Sequence, residues 1–223
     1  MRPKGLFFLE NRYARISKMI QNTHQGKFIV FDSLDGSGQS TQISLLRDFL
    51  IGKGFNVLVT KEPTKDSDPG KKIREALDRK VKLDPLELQK LFTEDRRIHL
   101  DNLIIPALKQ GTWVITDRYF LSTFAYGVSE GLDLDLLIKM NDGFLYPDQG
   151  FILKVRPEVC IDRIEKRGTT KTLFERKAKL AEVWKTYEIL PQRVPNFSIM
   201  DGERAILEVF EDVKQAINKL ITH

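Results

Sequence analysis

The residues most able to do chemistry sit between an apolar run ending at Phe31 and an amphipathic stretch opening at Ser40: Asp32-Ser33-Leu34-Asp35-Gly36-Ser37-Gly38-Gln39-Ser40-Thr41. A strand, a glycine-containing turn and a helix start make an anion site. Small residues let backbone N–H groups face inward, and the helix dipole favours negative charge. Phosphate is therefore the expected occupant of the turn formed by Asp35, Gly36, Ser37, Gly38, Gln39, Ser40 and Thr41. The phosphate-loop spacing G-x-x-x-x-G-K-[ST] is met at Gly38 and Ser40 but broken by Ser33 at the first glycine and Gln39 at the lysine. A plain strand-to-helix turn capped by Ser40 is the competing reading.

Gln39 is the informative departure. A lysine there would bring a full charge to the β- and γ-phosphates, whereas a neutral amide only donates a hydrogen bond. Losing one preorganised transition-state donor costs about 3 to 4 kcal/mol, two to three decades in rate. Either a charge comes from elsewhere, or the chain binds nucleotide without turning it over.

The elements that hold such a loop follow from the rest of the chain. With 223 residues, 41% hydrophobic and 30% charged, it is long enough for one sizeable core and excludes collagen-like or disordered chains. The longest uncharged run, 119–129, has 11 residues, against about 20 for a membrane-spanning helix, so no membrane association is expected. A lone Cys160 allows no internal disulfide, and His24, His99 and His223 are too scattered for a zinc site. A reducing cytoplasm fits. The net charge is +5, but residues 1–26 hold Arg2, Lys4, Arg12, Arg15 and Lys18 against Glu10 alone. The remainder is close to neutral and offers no broad field for nucleic acid.

Two regions are expected: a basic N-terminal arm over residues 1–26, packed on the body or on a partner, and a domain over 27–223. The arm is not expected to be an organellar leader, because Ser17 is its only serine. Within the domain, short apolar runs at 28–31, 56–60, 112–116, 150–155 and 196–200 read as strands covered on both faces. Helical stripes lie between them: Ile43, Leu46 and Leu50; Leu100, Leu103, Ile104, Ala107 and Leu108; and Ile206, Phe210, Val213 and Ile217. Asp84-Pro85-Leu86-Glu87 carries the signals of a capped helix start. This alternation calls for crossover helices and a three-layer α/β fold, with its site at the carboxyl ends of the strands.

Further blocks follow in order: Thr60-Lys61-Glu62-Pro63, Lys71-Lys72-Ile73-Arg74, Leu91-Phe92-Thr93-Glu94-Asp95-Arg96, Thr116-Asp117-Arg118-Tyr119 and Ser122-Thr123-Phe124-Ala125-Tyr126. Together with the phosphate loop, they make residues 27–220 resemble thymidylate kinase, a P-loop nucleoside monophosphate kinase that uses ATP to phosphorylate dTMP. The resemblance implies a five-stranded parallel sheet in the order 2-3-1-4-5. It also implies Mg²⁺, ATP and dTMP as ligands, and a family habit of dimerising through helices that admits a homodimer here.

Arg74 and Arg118 match the family's phosphate-binding arginines, and forked guanidinium donors suit a monophosphate dianion. Phe92 matches the ring that stacks on thymine, and Arg96 the arginine that reads the base edge; a spacing of four puts both on one helix face. Pro63, Ser122 and Thr123 fall among the family's substrate contacts. Asp35 matches the acid at the sugar 3′-hydroxyl, and Tyr126 the ring that excludes a ribose 2′-hydroxyl. Ser40 and Asp117 match the Mg²⁺ positions. Gly127 stands where the family often has glutamine. Each residue alone also reads as core, solvated surface or a structural ion pair.

On the donor side, the segment around 163–176 resembles the family's lid, closer to archaeal-type members, with Arg163, Arg167 and Lys171 as its cations. Lys154 stands where the family usually has aspartate. One hypothesis has it restore part of the charge missing at Gln39 from the neighbouring strand, but the ordinary reading, a solvated lysine or one paired with Asp32, carries more weight. An active dTMP kinase leads this reading. A kinase for another monophosphate, a non-catalytic nucleotide-binding module and a nucleic-acid binder working through the arm stand beside it.

Overall fold

The computed structural model describes residues 18–166, 173–190 and 194–222. In chain order the elements are β1 (Ile20–Gln21), β2 (Phe28–Phe31), α1 (Gln39–Gly52), β3 (Val57–Lys61), α2 (Asp68–Leu77), α3 (Pro85–His99), α4 (Ile105–Lys109) and β4 (Trp113–Asp117). There follow α5 (Phe120–Ser129), α6 (Leu134–Met140), β5 (Leu145–Tyr146), β6 (Gln149–Lys154), α7 (Pro157–Glu165), α8 (Leu173–Ile189), β7 (Phe197–Asp201) and α9 (Ile206–Ile221).

Five parallel strands pair in the order β3-β4-β2-β6-β7. Counting those five alone, this is the expected 2-3-1-4-5. A second parallel pair, β1 with β5, was not anticipated. Residues alternate between faces along a strand. Phe28 and Val30 accordingly join one core with Leu34, Phe120, Phe124 and Val183, while Ile29 and Phe31 join the other with Ile43, Leu46, Leu50, Val213 and Ile217. Helices α1 and α9 thus cover one face and α5 and α8 the other, giving three layers.

Burial on both faces holds for β2, β4 and most of β6, whereas β3 and β7 are the sheet edges and stay partly open. The stripe from Leu100 to Leu108 is broken by a π-helical stretch, Leu100–Ile104, which turns Leu103 towards solvent. Asp84 caps α3 as the sequence indicates, accepting from the Leu86 amide at 2.9 Å. Lys71 to Arg74, in contrast, lie inside α2, which Ser67 caps at Gly70. Met19 is buried in the core, and Asn22 donates to Asp148 at 2.6 Å, so residues 18–26 pack on the body.

Candidate functional site

The loop from β2 to α1 turns at Gly36 and Gly38, with φ of 84° and 96°, where a side chain would be strained. A Cβ at Gly36 would also collide with the Cys160 carbonyl of α7. No side chain caps α1, whose N-cap is Gly38 rather than Ser40; the helix start faces the loop open for an anion. Ser33, at the motif's first glycine position, anchors the loop: its hydroxyl accepts from the Leu153 amide at 2.6 Å and ties the turn to β6.

Asp32 is fully buried and builds the neighbouring strand end. It accepts from the amides of Tyr119 and Ser122, both at 3.0 Å, and from the Tyr187 hydroxyl at 2.8 Å. It therefore caps α5, which has no cap of its own. Burial raises its pKa above the ordinary value, while the Arg118 charge and these hydrogen bonds pull the other way.

A cavity of about 300 Å³ lies beside the loop, lined by Asp35, Pro63, Phe92, Arg96, Arg118, Ser122, Thr123 and Tyr126 among others. Arg118 follows β4 with a positive φ of 78°, a conformation rare for a residue with a side chain and frequent at functional sites. Its guanidinium donates to Ser122 Oγ at 2.6 Å and to Asp35 Oδ1 at 2.7 Å. Desolvation opposes its charge, but Asp35, with Tyr126, Tyr187 and Asp32 close by, holds its pKa well above the usual arginine value. Its cation sits 5.5 Å from the centre of the Tyr126 ring. Burial pushes the Tyr126 hydroxyl up to about 12 against Arg118, so the phenol is neutral.

Arg96 is 1% exposed and lies at the floor. It pairs with Glu62 at 2.8 Å and donates to Asn141 at 2.6 Å and to Thr123 at 3.0 Å. His99 joins Glu62 to Thr60. Asp95, one residue before Arg96, accepts from the Thr64 amide at 2.8 Å and holds the loop before α2. Arg74 is not brought into the cavity: it donates to the carbonyls of Thr64 and Lys65.

On the other side of the loop a second cavity, about 240 Å³, is lined by Ser37, Gly38, Thr41, Gln42, Arg163, Arg204 and Ile206 among others. Arg163 reaches the phosphate loop as expected, donating to the carbonyls of Ser37 and Gly202, both at 3.1 Å. Lys154 is not there: it is exposed at the end of β6 and lines neither cavity. Arg167 and Lys171, with much of the expected lid, lie outside the described residues. Ser37 Oγ, Gln39 Oε1 and Gln42 Oε1 are buried without a hydrogen-bond partner. Buried polar atoms are normally paired, so three unsatisfied groups along one loop and helix start suit a polar ligand.

Residues 31–213 match the family described as thymidylate kinase. This chain belongs to the thymidylate kinase family. A probable thymidylate kinase of Pyrococcus horikoshii is 37% identical over 205 residues, covering 89% of this chain and 97% of that one. The thymidylate kinase of Caldicellulosiruptor saccharolyticus is 35% identical over 206 residues, covering 88% and 98%. A probable thymidylate kinase of Archaeoglobus fulgidus is 34% identical over 194 residues, covering 86% and 95%. The chain is thus an enzyme, a nucleoside monophosphate kinase.

Gln89 and Glu130, which line the first cavity of this kinase, and Tyr187, which holds Asp32, were not singled out from sequence, and Asp32, Lys61 and Glu62 were quoted there only within motifs, without a role. Among the described residues no helix is long and apolar enough to cross a membrane, and no cluster of three or more His, Cys, Asp or Glu could hold a metal.

Proposed function

We propose that this kinase transfers the γ-phosphoryl group of ATP to dTMP, giving ADP and dTDP. The observation that carries this is the convergence of Phe92, Arg96, Arg118 and Tyr126 on one cavity beside an uncapped, glycine-bent helix start. Phe92 and Arg96 take the base by stacking and by hydrogen bonding. Arg118 offers its fork to the monophosphate, and Asp35 accepts from the sugar hydroxyl. Tyr126, a neutral, half-buried ring, fills the space a 2′-hydroxyl would need. ATP lies along the second cavity with its phosphates on the amides of the loop and Arg163 beside them.

A phosphate oxygen of dTMP attacks the γ-phosphorus in line, and the bond to the β–γ bridging oxygen breaks. The protein's part is positioning and charge stabilisation, since little covalent chemistry is needed. Asp117 and Ser40, 3.4 Å apart at Oδ2 and Oγ, provide one carboxylate and one hydroxyl. These are hard oxygen donors that fit Mg²⁺, a metal that keeps waters and phosphates as its other ligands. When bound, Mg²⁺ neutralises charge on the β- and γ-phosphates.

The proposal includes a reducing cytoplasmic setting, which the lone buried Cys160 suits, and a homodimer, which light scattering tests. Phosphorus NMR of enzyme mixed with ATP, dTMP and Mg²⁺ tests the reaction: signals of dTDP and ADP should grow together. ATP that stays intact beside bound dTMP would instead support the catalytically impaired module that Gln39 raises.

A further inference from the structure

We propose that Lys61, at the end of β3, supplies the ammonium that the phosphate loop lacks at Gln39. This rests on the reading that ATP occupies the loop. The two carboxylate oxygens of Asp117 are shared: Oδ1 accepts from Gln39 Nε2, and Oδ2 accepts from Lys61 Nζ at 3.0 Å and from Ser40 Oγ at 3.4 Å. The Asp117 carboxylate thus bridges the ammonium and the amide that stands in the motif's lysine position. A lysine at 39 would pair with the same Asp117. Positions 39 and 61 are therefore alternative seats for one positive charge.

The register explains how the chain achieves this. Lys61 pairs with Asp117 across β3 and β4, and Asp117 pairs with Phe31 across β4 and β2. Three adjacent strand ends therefore bring Lys61 to the loop. The residues that follow Lys61 and Asp117 in the chain, Glu62 and Arg118, line the acceptor cavity, while Gln39 and Ser40 open α1. Lys61 lines neither cavity itself but is joined through Asp117 to the opening of α1.

Its side chain is 58% exposed while that of Asp117 is 9% exposed, so the ammonium is not locked into packing. A lysine keeps three rotatable donors on a flexible stem, and Asp117 uses one of them here. In the reaction, the bond from γ-phosphorus to the bridging oxygen breaks as the bond to the dTMP oxygen forms. Negative charge shifts onto ADP, and Lys61 stabilises it without exchanging a proton.

Steady-state kinetics and calorimetry on Lys61→Ala, Gln39→Lys and the double variant test this. Loss of one preorganised donor typically costs about 10² to 10³ in kcat, the fall expected for Lys61→Ala at an unchanged melting temperature. ATP should weaken several-fold more than AMP, because the charge acts on the outer phosphates. Adding Gln39→Lys should restore at least tenfold of the lost turnover, and Lys61→Arg should keep most of it. Full turnover in Lys61→Ala would overturn the proposal, as would equal weakening of ATP and AMP, the signature of a lysine that only holds Asp117 in place. No ADP from the unmodified enzyme with dTMP would overturn the kinase reading itself, a separate result.

Discussion

Arg118 Nη2 and Asp35 Oδ1, 83 positions apart in the chain, meet at 2.7 Å. The contact joins the acceptor cavity to the phosphate loop. Asp35 belongs to the loop between β2 and α1, and Arg118 to the turn that leaves β4. The same guanidinium also holds Ser122, so its fork is oriented before a monophosphate arrives, which is the preorganisation that in-line transfer requires.

Replacing that fork by a point charge tests its role. Arg118→Lys keeps the charge but loses the bidentate geometry, and misplacing a substrate by about 1 Å costs on the order of 10²-fold in rate. kcat/KM for dTMP should fall by about that factor at saturating ATP. An unchanged value would remove Arg118 from the clamp.

Phe92→Ala removes the stacking surface. Base–aromatic stacking is worth about 1–3 kcal/mol, so KM for dTMP should rise roughly 5- to 150-fold while the ATP dependence stays close to that of the parent. Varying each substrate in turn separates the two; equal effects on both would show that Phe92 supports the core instead.

Glu62→Ala leaves Arg96 charged and buried without its ion-pair partner. Breaking a buried pair from one side costs about 3–5 kcal/mol, so the urea midpoint should drop sharply. The double variant Glu62→Leu/Arg96→Met should be more stable than Glu62→Ala alone, because both charges leave together. If the double variant is the less stable, the pair stabilises the fold in a way that apolar packing does not replace.

Asp32 gives stability a pH dependence. Burial raises its folded pKa above 3.8, so between the unfolded and folded values the native state binds more protons than the unfolded one. This contribution makes stability fall as pH rises through that window and levels off above it. Asp32→Asn should remove the slope, as read from urea midpoints measured upward from about pH 4. Parallel curves for parent and variant would contradict the raised value.

Much of this was legible in the sequence because it is local. The strand runs, the Asp84 cap, the loop glycines and the spacing of Phe92 and Arg96 all express periodicity or turn chemistry within a few residues. The unread parts depend on partners distant in the chain. Lys61 looks like one more charged residue at a strand end until β3 registers against β4 and sets it on Asp117. Lys154 was a candidate cation from strand order alone, and its side chain turns out to solvent, the ordinary reading of a lysine there. Arg74 fits a phosphate clamp by position but is drawn to the carbonyls of Thr64 and Lys65. Asp32 and Tyr187 lie 155 positions apart in sequence, and only the fold makes them hydrogen-bond partners.

The central claim is that a phosphate loop carrying Gln39 still turns over. A coupled assay of ADP formation with dTMP, dUMP, dCMP and dGMP, run with and without Mg²⁺, tests it most directly. The account predicts steady Mg²⁺-dependent ADP production that is fastest with dTMP. ATP bound but not consumed in the presence of dTMP, or a clear preference for dCMP or dGMP, would contradict it.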